Sequence, residues 1–311
     1  MRTAIVTGAS RGIGRATAIA LGEAGFRVYV TGRTHSLARA PGSIDATAAA
    51  VSSVGGEGRA VRVDHNDDSM LTGLFNHVRH QSGTLDLLVN NVFPTDLFDE
   101  VPDGPFFEQP VSLAHEMLGA GLRTHYVATW HAARMMARQG SGLVVNIGAV
   151  GAVVPSFGPA HAMAKSALDT FTQVAARELK PYGVAMVSVW PGPLVGTERV
   201  RRQGADVAAA ITETPFLAGR AVAALAADAE VLRLSGRVFA AADLAEYYDF
   251  TDADGSRPEY PYDDERMRAT MVARLPARPR RLPARLDRTD RIDRTDRTDR
   301  IDRPDRTNRA E

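Results

Sequence analysis

Short apolar runs alternate with longer stretches of helical period along most of this chain. The runs "TAIV" (3–6), "FRVYVT" (26–31), "RAVRV" (59–63), "LDLLVN" (85–90), "LVVNI" (143–147), "VAMVSV" (184–189) and "RVFAA" (237–241) are valine-rich and nearly continuously apolar. Central strands of a parallel sheet have this character, because helices cover both faces. Helical stretches between them include 12–24, 112–138, 162–180 and 205–227. Strand–helix alternation with right-handed crossovers gives an α/β fold, a doubly wound parallel sheet in a single domain.

After about Pro258 the pattern stops. "ARLPARPRRLPARL" is rich in arginine and proline, and a three-residue Asp-Arg repeat follows from Asp287. The repeat has no useful apolar face, so it cannot bury enough surface to offset its ordering entropy. The expected organisation is a folded domain over 1–260 and a disordered tail over 261–311. A polyanion-binding arm is the alternative for the tail. Interleaved aspartates cancel most of its positive field, and only 278–285 is net basic.

Length and composition narrow the remaining classes. The 311 residues, 44% of them hydrophobic, suffice for one large domain with an appendage. The formal net charge is zero, which gives no case for nucleic-acid binding. With no cysteine, disulfides, thiolate metal sites and a cysteine nucleophile are excluded. The first apolar run leads directly into a glycine turn, and no run of about 18 apolar residues occurs. A cytoplasmic protein without a membrane span is therefore expected.

The first motif with chemistry in it is "TGASRGIG", Thr7 to Gly14, directly after the first strand and entering a helix. Gly8 permits the turn, Gly12 lets the backbone approach a pyrophosphate, and Gly14 lets the helix pack on the sheet. The free N–H groups of the helix N-terminus then hold the phosphates. Thr7, Ser10, Arg11 and Ile13 complete this candidate cradle.

With that motif the chain resembles the short-chain dehydrogenase/reductase family over about residues 1–255, a Rossmann-type fold. "VNNV" (89–92) resembles the family's Asn-Asn-Ala-Gly, with Phe93 in place of glycine. "WPGPLVGTE" (190–198) resembles the Pro-Gly turn that covers the nicotinamide. "GLRTHY" (121–126) and the segment from Leu234 to Tyr260 resemble one branch, dehydrogenase/reductase member 1. The resemblance implies cofactor contacts at Asp64, Asn90, Lys165, Pro191, Gly192 and Thr197. It also implies a small-molecule carbonyl or alcohol substrate, and a homodimer or homotetramer formed through the helices of 112–138 and 162–180.

The cofactor follows from charge. Strand two ends "VTGRT", with Arg33 where NAD enzymes carry an acid for the ribose hydroxyls. Arg33 and Arg11 suit a 2′-phosphate, so NADP(H) is favoured over NAD(H).

The acid–base residues depart from the family. Where Tyr-x-x-x-Lys is expected the chain has His161-Ala-Met-Ala-Lys165. The serine position falls on Gly148 or Ala149 and the asparagine position at about Gly121. Only Lys165 remains. His161 can act as the proton donor, assisted by His125 or His131. The alternatives are a non-redox reaction in the same pocket, or a cofactor-binding protein without turnover. Segments 92–112 and 193–216 are the expected pocket walls. Phe93, Phe98, Phe106, Phe107 and Phe216 either line an apolar cavity there or simply pack the loops.

Overall fold

A computed structural model describes residues 1–36, 42–95, 97, 104–153 and 158–259. The tail expected over 261–311, and Phe98, lie outside the described residues. Among the described residues the seven strands are β1 (Thr3–Val6), β2 (Arg27–Gly32), β3 (Glu57–Arg62), β4 (Leu87–Asn90), β5 (Gly142–Ile147), β6 (Val184–Trp190) and β7 (Val238–Ala240). They form one parallel sheet in the order β3-β2-β1-β4-β5-β6-β7.

Strand alternation divides the core in two. Ala4, Val6, Val28, Val30, Leu87 and Val89 face one way and pack with helices α1 (Gly12–Glu23), α2 (Ile44–Ser53) and a long helix at Pro215–Ala227. Ile5, Tyr29, Leu88, Val144 and Met186 face the other way, toward α3 (Asp68–Ser82) and the helix Thr124–Gln139. Both faces are covered, which is why the strands read as apolar without alternation. The sequence order reverses between β1 and β4, and the crevice at their carboxyl ends is where such sheets bind ligands.

Two expected helices are broken. The stretch 112–138 is α4 (Val111–Leu118), a π-helical turn (Gly119–Arg123) and α5 (Thr124–Gln139). Wide turns of this kind occur frequently at functional sites. The stretch 205–227 is also two pieces. After α6 (Gly158–Leu179) and α7 (Glu198–Arg201), the short α8 (Ala205–Ala209) ends before a β-bridge between Val195 and Glu213. Then α9 (Pro215–Ala227) starts afresh, with Pro215 in its first turn and Thr214 Oγ1 accepting from Phe216 N at 3.1 Å. The last helix, α10 (Ala241–Tyr248), leads into the ordered loop of Thr251–Arg257.

Candidate active site

The glycine turn has the backbone its residues suggest. Gly8 and Gly12 have φ of +63° and +56°, left-handed values that cost other residues about 1–2 kcal/mol. A Cβ at Gly14 would run into the Asn91 carboxamide and the Gly8 carbonyl, so only glycine fits there. The turn is then locked onto the end of β4. Asn91 Nδ2 donates to Thr7 O (2.9 Å) and Gly8 O (3.1 Å), and Thr7 Oγ1 accepts from Asn91 N at 2.9 Å. Thr7 is buried and spends its hydroxyl on this lock. Asn91 holds the cradle in shape, a role that the motif alone does not reveal.

Asn90 is placed differently from its expected role. It is fully buried, and its amide nitrogen donates to Thr129 Oγ1 and Asn146 Oδ1, both at 2.9 Å. Asn146 in turn donates to Thr172 Oγ1 at 2.8 Å. This chain of bonds ties β4 and β5 to α5 and α6 inside the core. The Asn90 side chain therefore fixes the two helices, and any contact with a cofactor would come from its backbone.

The fit of a dinucleotide can be judged from the cradle itself. Helix α1 has no side-chain cap at Arg11 and no acid in its first turn. Its Gly12 N–H donates instead to the carboxylate of Glu198 at 3.0 Å. An anion from elsewhere in the chain thus sits where phosphate would be held, which is what a helix N-terminus attracts. Arg11 and Arg33 are exposed near the carboxyl ends of β1 and β2. Ser10 and Ile13 are half-buried in the turn. Asp64 accepts from Asn66 N at 3.0 Å, and the buried His65 beside it shares a 2.9 Å bond with Thr31 Oγ1. Burial lowers His65 to about 4; the Asp64 charge opposes this and the Arg33 charge adds to it.

Helix α6 carries the His161–Lys165 pair. His161 is 4% and Lys165 5% exposed. Burial, then the Lys165 charge, lowers His161 to about 4, so its ring is neutral at pH 7. Burial lowers Lys165 to about 8, while Asp169 one turn on opposes the shift. Lys165 Nζ donates to Ile147 O at 3.0 Å and stands 4.3 Å above the Phe93 ring. His161 meets the same ring edge-on, with centroids 5.5 Å apart at 80°.

Phe93 also lies against Gly121, the expected asparagine position. A Cβ at Gly121 would lie 2.6 Å from Phe93 Cε2 and 2.9 Å from its Cδ2. The ring occupies the space a side chain on the π-turn would enter. Gly148, at the expected serine position, is crowded in the same way. A Cβ at Gly148 would collide with the Trp190 indole and lie 2.6 Å from Ser188 Oγ. Trp190 Nε1 (3.0 Å) and Ser188 Oγ (2.6 Å) both donate to Asp169, whose carboxyl is raised to about 6 by burial. Ala149, beside it, is half-buried and carries no hydroxyl.

Of the two other expected histidines, His125 lies close enough to Lys165 to feel its charge, while His131 stands apart. His125 is fully buried, pushed down to about 3 by burial, and its Nε2 is 2.8 Å from Val92 O. His131 stacks on Phe75 at 5.1 Å, on the α3–α5 side of the sheet. Phe106 and Phe107 are 63% and 73% exposed, so they do not line a cavity. Phe216 packs against the core and reaches a cavity of about 440 Å³ shared with Gly12, Arg15, Gly196, Glu198 and Arg201.

The Pro-Gly turn closes this end of the crevice. Pro191 is buried, and Gly192 abuts Glu213, where a Cβ would lie 2.6 Å from Oε2. Glu213 is buried and raised to about 7, chiefly by desolvation. Nothing in the sequence marks it, because it lies in a loop whose composition reads as helix. Thr197 caps α7, accepting from Val200 N at 3.3 Å, and lies against Gly12. Among the described residues no His, Asp or Glu cluster could hold a metal.

A parallel seven-stranded sheet with a glycine turn at its switch point is a Rossmann-type, nucleotide-binding fold. The comparison with known proteins makes this specific. Residues 2–208 match the family described as short chain dehydrogenase, and the chain belongs to that family. It is 37% identical over 275 residues to mouse dehydrogenase/reductase SDR family member 1, covering 83% of this chain and 85% of the relative. A candidate dehydrogenase from Xanthomonas campestris shares the fold, with a TM-score of 0.72 at 22% identity over 85% of this chain and 98% of the other. A candidate NAD(P)-dependent gluconate 5-dehydrogenase from Beutenbergia cavernae, solved with NADP at low occupancy, aligns with a TM-score of 0.65. It is 28% identical, covering 77% of this chain and 94% of the other. The family binds NAD(P) cofactors and acts on small molecules.

Proposed function

We propose that this protein is an NADP(H)-dependent oxidoreductase that interconverts an organic carbonyl compound and its alcohol, with His161 in the place of the usual tyrosine. The observation that carries the reading is the buried His161–Lys165 pair on α6, together with a glycine turn whose Gly12 N–H already holds a carboxylate. Gly8, Gly12 and Gly14 with the α1 N-terminus would hold the diphosphate, Arg11 and Arg33 the 2′-phosphate, Asp64 the adenine. Lys165 and Thr197 would hold the nicotinamide end, under the Pro191–Gly192 turn. The bound cofactor supplies or accepts the hydride. The neutral His161 ring donates an N–H hydrogen bond that polarises the substrate oxygen, and the proton itself is exchanged with the Lys165 ammonium or with water, since full transfer from a neutral ring would leave an imidazolate. General acid–base help of this kind is worth about 10²–10⁴ in rate.

A second reading has its own support. Phe93 fills the space beside Gly121, and one of the three Lys165 N–H donors is taken by Ile147 O. Both favour a protein that binds the cofactor without turning it over. One experiment separates them. Purified protein is titrated with NADPH by fluorescence, then offered ketones, quinones and aldehydes while cofactor absorbance is followed. Turnover that falls by about 10² or more in His161→Phe, with NADPH binding kept, supports the first reading. Binding without any turnover supports the second, and absence of binding rejects both.

Self-association through α5 and α6 belongs to the same proposal. Tyr126, Trp130 and Val174 leave large apolar groups 48–55% exposed on these helices. No described helix is long and apolar enough to cross a membrane, and we place the protein in the cytoplasm.

A further inference from the structure

The contact between Gly12 and Glu198 has a consequence for how a cofactor enters. Glu198 opens α7, far along the chain from α1, yet its Oε2 accepts the Gly12 N–H at 3.0 Å. The neighbouring Thr197 lies over the same turn, with its methyl 3.4 Å from where a Gly12 Cβ would be. The backbone of this segment is tied elsewhere. Gly196 N donates to Glu213 O at 2.8 Å, and Arg201 Nε donates to Gly196 O at 3.0 Å. So α7 is anchored to the Val195–Glu213 bridge while its first side chain reaches into the cradle. Helix α1 supplies no cap or acid of its own there.

A carboxylate at this position has the chemistry of a phosphate oxygen, with a full charge and lone pairs aimed at a helix N-terminus. We infer that Glu198 is an internal stand-in for the dinucleotide's diphosphate, so that cofactor entry displaces it and residue 198 sets cofactor affinity. The inference rests on the cofactor-binding reading above. Carboxylate and diphosphate cannot share one N–H, and their charges repel at that distance. The displaced side chain has somewhere to go. Glu198 lines the same cavity of about 440 Å³ as Arg15 and Arg201, either of which can take its charge. Ordering of α7 over the crevice is thereby coupled to the cofactor. Without it the carboxylate pins α7 to the glycine turn, and with it the pin is released toward the arginines.

The test uses the full chain, wild type, Glu198→Gln and Glu198→Ala. NADPH affinity is read by fluorescence titration, inorganic pyrophosphate by competition with NADPH or by thermal shift, and adenosine serves as a phosphate-free control. Both variants are expected to bind NADPH and pyrophosphate about threefold to tenfold more tightly, with adenosine unchanged. The cofactor-free variants are expected to melt about 1–3 °C lower, because α1 loses its anion. Opposite signs in the two measurements distinguish displacement from a merely structural role, which would weaken both. Unchanged or weaker NADPH binding by the variants, with wild-type binding intact, overturns the inference alone. A wild type that binds no NADPH overturns the cofactor reading itself. Pyrophosphate then decides on Glu198, and equal affinity in all three proteins overturns the inference too.

Discussion

Replacing Gly121 with alanine tests whether Phe93 has taken the space of a lost polar side chain. The added methyl carbon would lie 2.6, 2.9 and 3.6 Å from three carbons of the Phe93 ring. The first two distances are well inside van der Waals contact, so the ring must move. Overpacking of this kind costs about 1–3 kcal/mol, and the better helix propensity of alanine returns up to about 1 kcal/mol. A net loss of about 0–3 kcal/mol is expected from Gly121→Ala alone. Phe93→Ala alone removes a half-buried ring and its contacts with His161 and Lys165, and should also destabilise. In the double variant the methyl enters vacated space. The overpacking cost disappears, and the two changes should couple by at least about 1 kcal/mol in the favourable direction. Urea denaturation of the four proteins measures this coupling. Additivity within about 0.5 kcal/mol would refute the idea that the ring and the π-turn compete for one volume. The missing asparagine would then have no steric explanation.

Other expectations follow from the same geometry. His161 is kept neutral in the fold, with its pKa lowered from 6.5 to about 4. Its contribution is therefore full above the unfolded pKa and lost as pH falls from 6.5 toward 4. Relative to His161→Phe, wild type should lose about 2–3 kcal/mol between pH 7.5 and 4.5, measured by urea unfolding at each pH. No such pH-dependent difference would mean that His161 is solvated. Arg33→Asp should weaken NADPH by about tenfold or more while leaving NADH binding equal or better, and a parallel loss for both cofactors would contradict the assignment. Asp169→Ala leaves the Trp190 indole N–H and the Ser188 hydroxyl without their buried acceptor, and should cost about 2–4 kcal/mol in thermal or urea unfolding. A loss below about 0.5 kcal/mol would show that water replaces it.

Much of the fold can be read directly from residue pattern, because its signals are local. Valine-rich runs place the strands to within about two residues, and the glycine spacing of 7–14 announces a turn that only glycine can make. The absence of a tyrosine at 161, and of a hydroxyl at 148 and 149, is also plain in the letters. What the letters do not reveal is what stands in the vacated places. That depends on residues distant in sequence. Phe93 reaches the π-turn at Gly121, Trp190 covers Gly148, and Asn91 rather than Asn90 braces the glycine turn. The breaks in 112–138 and 205–227 are hidden for a related reason. A π-turn and a β-bridge are decided by what packs against the segment, and composition stays helical through both.

The sequence by itself determined the sheet, the glycine turn and the histidine at 161, since each is written in neighbouring side chains. Tertiary structure alone decided that His161 is neutral, that Lys165 is spent partly on Ile147, and that Glu198 sits on the cradle. These are matters of burial and long-range approach, and both arise only when β1, β4, α6 and α7 come together at the switch point of the sheet.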